Sequence, residues 1–305
     1  MRVIHDLENF IAPWSHSVVT LGVFDGIHRG HHLILTNLES AAPGERVLVT
    51  YDPHPDRILG KRSDKRTELF TYSEKIFLLQ RYDIDTAVFL PFTRELSEMS
   101  AEEYLERILI QRLRASRIII GYDQCFGKNR GGDYDFLLRM SDRFGYTVER
   151  IEAFRLNGEI VSSSLIRALI KDGQIRKANE YLGHDFFVSG YVVRGNRRGR
   201  ELGFPTANLD IEPTKVIPQE GVYACTIEWG GRIYRAMTNV GRNPTFNQNT
   251  LTVEVNILDF DQDIYGENLR VSFKQRMRSE IRFSSVDALI QQLRRDEAVT
   301  RSLDL

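Results

Sequence analysis

Apolar positions recur along this chain in two rhythms. Up to about residue 182, short apolar runs alternate with stretches whose apolar positions fall three and four apart. Residues 18–24, 46–51, 86–90 and 118–120 read as strands, and 146–151 as a fifth. Between them come helical patterns: Leu33, Ile34, Leu35 and Leu38; the amphipathic stretch 73–79; Leu105, Ile108, Leu109 and Leu113; and 135–144. Ser100-Ala101-Glu102-Glu103 is a capping box that opens the third of these. Strands alternating with helices predict an α/β domain with a parallel, doubly wound sheet. Ligands of such sheets meet the loops at the carboxyl ends of the strands.

Beyond Leu182 the helical spacing fades and short strand-like runs take over. Residues 187–193, 221–229, 232–239, 250–258 and 269–273 are the expected strands, with Gly230-Gly231 as a hairpin signal. They predict a small antiparallel barrel or sandwich. A last helix shows Val286, Leu289, Ile290 and Leu293 on one face. A chain of 305 residues has room for two domains, and the change of rhythm places their boundary near 183–187, dividing the chain into 1–184 and 185–305. A fragment beginning near Phe186 is expected to fold alone.

Composition narrows the classes of function. The net charge is -1, so no bulk basic field marks a nucleic-acid partner. The two cysteines, Cys125 and Cys225, form no C-x-x-C pair, which leaves neither a zinc knuckle nor a disulfide framework. The first residues lack a basic segment followed by an apolar one, and no run approaches the roughly 18 apolar residues of a membrane span. The expectation is a cytoplasmic protein without membrane or nucleic-acid partners; a weak homo-oligomer is compatible with these features.

Candidate chemistry begins after the first strand, at Phe24-Asp25-Gly26-Ile27-His28-Arg29-Gly30-His31. His28 and His31 fall on one side of a first helical turn. Gly30 leaves space for a phosphate, and a helix N-terminus adds free N–H groups. This suits charge build-up on a phosphate chain; the plain alternative is a His-rich turn. A zinc site from His28, His31, His32 and His54 fits no common ligand spacing. Asp52-Pro53-His54-Pro55 ends the second strand, Gly121-Tyr122-Asp123-Gln124-Cys125-Phe126-Gly127 ends the fourth, and Val161-Ser162-Ser163-Ser164-Leu165-Ile166-Arg167 leads into a helix.

In the second half, residues 194–208 combine glycines and arginines in a cationic loop that ends Gly203-Phe204-Pro205-Thr206-Ala207-Asn208. Backbone N–H groups of such a loop can wrap a polyphosphate. Thr206 and Asn208 offer neutral oxygens to Mg²⁺ and phosphate. The plain alternative is a solvated basic loop. Glu254, between Val253 and Val255, becomes a carboxylate of raised pKa if its face is partly desolvated; otherwise it is a strand residue facing water.

These motifs, in this order, resemble the bacterial bifunctional riboflavin kinase/FAD synthetases over nearly the whole chain. The first half is similar to F-D-G-x-H-x-G-H, P-H-P, G-x-D-F-x-F-G and S-S-T-x-I-R. The second is similar to L-G-F-P-T-A-N-L, T-N-x-G-x-x-P-T-F and D-F-x-x-D-x-Y-G. The resemblance implies a Rossmann-like nucleotidyltransferase domain followed by a six-stranded antiparallel β-barrel with a C-terminal helix. It implies phosphorylation of riboflavin to FMN, then adenylylation of FMN to FAD, with ATP as co-substrate and Mg²⁺. His28 and His31 are then catalytic, and Gly22, Phe24, Asp25, Gly30, His54, Ser164, Arg167, Gly203, Thr206 and Asn208 serve ATP. Asp123, Phe126 and Arg242 serve the flavin, Thr206 and Asn208 the metal, and Glu254 is the base on the ribityl hydroxyl. Gln124, Cys125 and Asn256 depart from the usual Phe, Arg and His. The alternative reading is a riboflavin kinase whose first domain is inactive or regulatory. A flavin-binding regulator and a basic-loop RNA-binding protein are rivals from other classes.

Overall fold

The computed structural model describes residues 1–8, 10–41, 43–60, 66–195, 199, 202–242 and 251–303. It divides into two compact units, Met1–Glu68 with Tyr72–Ser162, and Leu69–Thr71 with Ser163–Leu305.

The first unit is built on a six-stranded sheet in which every pair is parallel. Its strands are β1 (Arg2–Ile4), β2 (Ser17–Leu21), β3 (Glu45–Tyr51), β4 (Thr86–Leu90), β5 (Ala115–Gly121) and β6 (Thr147–Ile151), in the spatial order β1-β4-β3-β2-β5-β6. Strands β2 to β5 are continuous apolar runs because helices cover both faces of such a sheet. Val19, Val47, Val49, Val88, Ile118 and Ile120 are fully buried there, with Leu105, Leu109, Leu113 and Leu137 packed against them. The helices are α1 (Arg29–Glu39), α2 (Pro55–Ile58), α3 (Tyr72–Leu79), α4 (Arg94–Glu98), α5 (Ala101–Glu103) and α6 (Tyr134–Phe144). Ser100 caps α5, its hydroxyl accepting from the Glu103 N–H at 3.1 Å, and Tyr104–Arg112 continues as a π-helix. A short hairpin, β7 (Arg155–Leu156) with β8 (Glu159–Ile160), follows β6.

Two expectations change here. β2 stops at Leu21 rather than at residue 24, because Phe24 takes φ +48°, outside any strand. β1 was not expected; its three residues are too few to show a period, and pairing with β4 at the edge makes the strand.

The second unit contains helices α7 (Ser163–Lys171) and α8 (Ile175–Leu182) and a closed antiparallel barrel. Its strands are β9 (Phe186–Val193), β10 (Ala207–Ile211), β11 (Gly221–Trp229), β12 (Arg232–Arg242), β13 (Leu251–Ile257) and β14 (Asn268–Arg278), and α9 (Val286–Ser302) follows. The order is β10-β13-β12-β11-β14-β9, and β9 pairs with β10 to close it. Gly230 and Gly231, at φ +57° and +74°, supply the two left-handed residues of the β11–β12 turn. The Asn179 amide joins α8 to the barrel: its oxygen accepts from the Phe186 N–H at 2.8 Å and its NH₂ donates to the Phe273 carbonyl at 2.8 Å. Strand β10 is new relative to expectation. Of the face expected for α9, Leu289, Ile290 and Leu293 are half-buried and Val286 is exposed, while Asp296 and Thr300 are buried. Asp296 receives the Arg278 guanidinium at 2.7 and 2.9 Å, so a charged anchor fixes this helix.

Candidate active sites

In the first unit the chain leaves β2 toward β3 and β4, then returns to β5 on the other side of β2. The crevice of the sheet therefore opens at the carboxyl ends of β2 and β5. Three motif loops emerge at this edge, from the adjacent strands β3, β2 and β5.

The loop after β2 is a buried turn. Gly22 gives its N–H to the Val49 carbonyl at 3.0 Å. Phe24, Asp25, Ile27 and His28 are buried, and Phe24 and Ile27 both take positive φ. Gly30 is the second residue of α1. His28 is the N-cap of that helix and accepts from the His31 N–H through Nδ1 at 3.3 Å. The two imidazoles stack with centroids 3.7 Å apart and planes at 16°, and Phe24 lies 5.1 Å from His31. His31 Nδ1 is buried without a hydrogen-bond partner. Burial, then the His28 and Lys75 charges, holds the His31 pKa well below the ordinary histidine value, so His31 is a neutral imidazole at neutral pH.

After β3, His54 caps the short helix α2, accepting from the Asp56 N–H at 3.1 Å. After β5, Asp123 is exposed, and Phe126 packs into the core 5.2 Å from Tyr104. Gln124 is half-buried and donates to the Cys125 carbonyl at 3.4 Å. The Arg130 guanidinium reaches Cys125 Sγ at 3.3 Å, bringing an arginine to the position where the resemblance leads one to expect the chain's own. Ser164 and Arg167 belong to α7 of the second unit, the first exposed and the second buried. Among the described residues no cluster of His, Cys, Asp and Glu is arranged to hold a metal.

In the barrel, Glu254 on β13 stands opposite Asn208 on β10 and Asn239 on β12, so three polar side chains form one row across three strands. Val253 and Val255 turn to the buried side; Glu254 is half-buried. Burial first, then the charge of Glu280, raises its pKa. The chain before β10 crosses closely over this row. A Cβ at Gly195 would lie 2.1 Å from Asn208 Nδ2, so any larger residue there would displace the Asn208 amide from this row. Thr206 is half-buried in the wall of a cavity of about 390 Å³, with Pro205, Ala207, Asp261, Asp263 and Tyr265 around it. Asn256 donates to the Pro205 carbonyl at 2.7 Å, which ties β13 to the Gly-Phe-Pro-Thr turn. Gly203 is exposed at φ +80°, and Arg242, at the end of β12, pairs with Glu220 at 2.6 Å. Residues 196–198, 200 and 201 of the arginine loop, and 243–246 of the second motif, lie outside the described residues.

Both halves match family models: residues 11–165 that of FAD synthetase, and residues 182–303 that of riboflavin kinase. A bifunctional riboflavin kinase/FMN adenylyltransferase of Listeria monocytogenes is 33% identical over 94% of this chain and 92% of its own length. That of Haemophilus influenzae is 33% identical over 97% of both chains. The chain belongs to the bifunctional riboflavin kinase/FMN adenylyltransferase family. It phosphorylates riboflavin to FMN and adenylylates FMN to FAD, with ATP as co-substrate in both reactions. A solved Streptococcus pneumoniae structure, described as a macrolide-efflux protein, superposes with a TM-score of 0.89 at 33% identity and covers 99% of both chains. That description belongs to the Streptococcus protein. No helix among the described residues of this family member is long and apolar enough to cross a membrane.

Two participants escaped the sequence reading. Lys75 sits on the apolar side of α3, three and four positions before Leu78 and Leu79, and such a lysine is itself a signal. Glu280 follows β14, remote in sequence from Glu254, and nothing local marks it.

Proposed function

We propose that residues 1–184 carry FMN adenylylation and residues 185–305 carry riboflavin phosphorylation. Support comes from the ends of the two family matches, at residue 165 and from residue 182. The observation that carries the first assignment is the stacked His28–His31 pair at the crevice between β2 and β5. There the FMN phosphate oxygen attacks the α-phosphorus of ATP and pyrophosphate leaves. The acceptor is already anionic, so positioning and charge stabilisation do the work. His28, His31 and His54 are read as phosphate donors, with Gly22, Phe24, Asp25 and Gly30 shaping the turn. Asp123 is read as a flavin contact because its loop closes the other side of the crevice; Phe126, assigned to the flavin on the family pattern, is packed into the core and supports that loop from beneath.

In the barrel, Glu254 takes the proton of the ribityl hydroxyl as it attacks the γ-phosphorus. The half-buried, like-charged setting that raises its pKa supports this role. Thr206, in the cavity wall, and Asn208, opposite Glu254, are hard, neutral oxygen donors and fit Mg²⁺, which would neutralise charge on the ATP phosphates. Gly203 and Arg242 are assigned to ATP and flavin respectively on the family pattern. Cytoplasmic ATP and two unpaired cysteines fit a cytoplasmic enzyme.

The test supplies riboflavin, ATP and Mg²⁺ to wild type and to the double variant His28→Ala/His31→Ala, and separates the flavins by chromatography. Each lost charge-stabilising donor is worth roughly 10²–10³ in rate. FMN should accumulate where FAD formed before. Undiminished FAD synthesis would remove the turn from the adenylylation site.

A further inference from the structure

Lys75 is buried on α3, yet the family chemistry assigned above does not use it. Its ammonium donates to the Val23 carbonyl at 2.9 Å, and Thr50 donates to the same oxygen at 2.9 Å. Val23 immediately precedes Phe24, whose φ is +48°. Two donors on one carbonyl thus fix the backbone where the strand turns into the His28–His31 loop. A lysine costs much to bury, and an alkyl chain would fill its place without that cost. Among the described residues Val23 is its only hydrogen-bond partner, leaving two N–H groups unspent. Asp25, Asp52 and Glu68 surround it at electrostatic range and favour the charged form, against the burial that disfavours it. His31 feels the Lys75 charge, and its own Nδ1 is buried without a partner. One buried polar atom without a partner, His31 Nδ1, therefore lies on the turn whose backbone Lys75 holds from α3.

We propose that Lys75 is a positioning residue of adenylyl transfer: it fixes the Val23–Phe24 backbone at the start of the His28–His31 turn and places a positive charge within electrostatic range of His31. The proposal rests on the reading of the Phe24–His31 turn as the adenylylation site. The groups facing His31 are His28, from the helix cap, and Lys75, from α3; those facing Lys75 are Asp25, Asp52 and Glu68. Lys75 opposes protonation of His31. Without it, His31 protonates at higher pH, and the acid limb of FAD synthesis moves up.

The experiment uses the full chain with FMN, ATP and Mg²⁺. Lys75→Gln keeps a donor for Val23 and loses the charge, Lys75→Met loses both, and Lys75→Arg keeps both. A misplaced reacting group costs roughly 10²-fold, and that fall in kcat is expected for Lys75→Met, with KM for FMN changed only a few-fold. Lys75→Gln should shift the acid limb of the pH–rate profile to higher pH, and Lys75→Arg should leave it in place. Riboflavin phosphorylation and circular dichroism report folding. An unmoved acid limb in a folded Lys75→Gln chain would overturn the proposal. So would failure of both neutral variants to fold, which would make Lys75 a stability residue. The His28→Ala/His31→Ala chain, run in parallel, separates failure of this proposal from failure of the site assignment beneath it.

Discussion

Glu254 stands between two asparagines, and both its burial and Glu280 oppose its ionisation. As a base it must be ionised, so phosphorylation should fall as pH drops through a pKa above the ordinary carboxylate range. Glu254→Gln should cost about 10²–10⁴ in the single-turnover step, with FAD synthesis from added FMN unchanged. Glu280→Gln removes the like charge and should move the acid limb of phosphorylation downward; a limb that stays put would detach Glu280 from the base. The linkage has a definite sign. A carboxyl whose folded pKa is raised stabilises the fold below its unfolded pKa, and that contribution is lost as pH rises through the folded value. Glu254→Gln should therefore raise Tm near pH 7 and lose the advantage in acid. Equal melting curves at both pH values would contradict the raised pKa. At this scale the sequence carried much of the chemistry. The Val-Glu-Val alternation left a partly desolvated carboxylate and a water-facing one both open, and Glu254 is half-buried; His28 and His31 were placed together by helical spacing. The approach of Gly195 to Asn208 and of Glu280 to Glu254 was not legible, because both contacts are made by closure of the barrel.

Elements were legible where burial makes the pattern and illegible where pairing does. β4 and β11 have the bounds their apolar runs predicted. β10 hid within a motif rich in polar residues, and β14 runs on through Lys274-Gln275-Arg276-Met277-Arg278, a stretch with almost no apolar alternation. α9 keeps Leu289, Ile290 and Leu293 of its expected face half-buried and adds an anchor its apolar spacing did not show, the buried Asp296 paired with Arg278. Asn256 shows how one polar side chain organises two elements, holding the turn before β10 against β13. Asn256→Ala removes that bond, worth about 0.5–1.5 kcal/mol net, and leaves the Pro205 carbonyl without it. The expected result is a modest loss of Tm and a several-fold rise in KM for ATP in phosphorylation, with adenylylation untouched. A KM equal to that of wild type would mean that the turn holds its shape without this tether.

For the whole molecule, the change of hydrophobic rhythm near residue 183 was read as the place to cut. The contacts of the second unit point to an earlier one. α8 buries Ile175, Ala178, Tyr181 and Leu182 at 2% exposure or less, and Asn179 satisfies backbone groups of β9 and β14. A buried apolar side chain is worth about 1.5–3 kcal/mol, and a domain's net stability is only about 5–15 kcal/mol. A fragment from Phe186 should therefore be largely unfolded, whereas residues 163–305 should fold and make FMN but no FAD. The latter still lacks Leu69–Thr71. In the intact unit, fully buried Lys215 donates to the Leu69 carbonyl and lies 4.1 Å from the Phe70 ring and 4.6 Å from that of Phe186. In the 163–305 fragment the Leu69 carbonyl and the Phe70 ring are gone, so the buried Lys215 ammonium loses one acceptor and one ring face, and weakening the partners of a buried charge is costly. Lys215→Met should accordingly raise the Tm of the fragment while lowering or sparing that of the full chain. The comparison is four melting curves, fragment and full chain, each with and without the substitution. A substitution that destabilises both equally would show that Lys215 is held by the barrel alone, and a fully active fragment from Phe186 would show that α8 is dispensable.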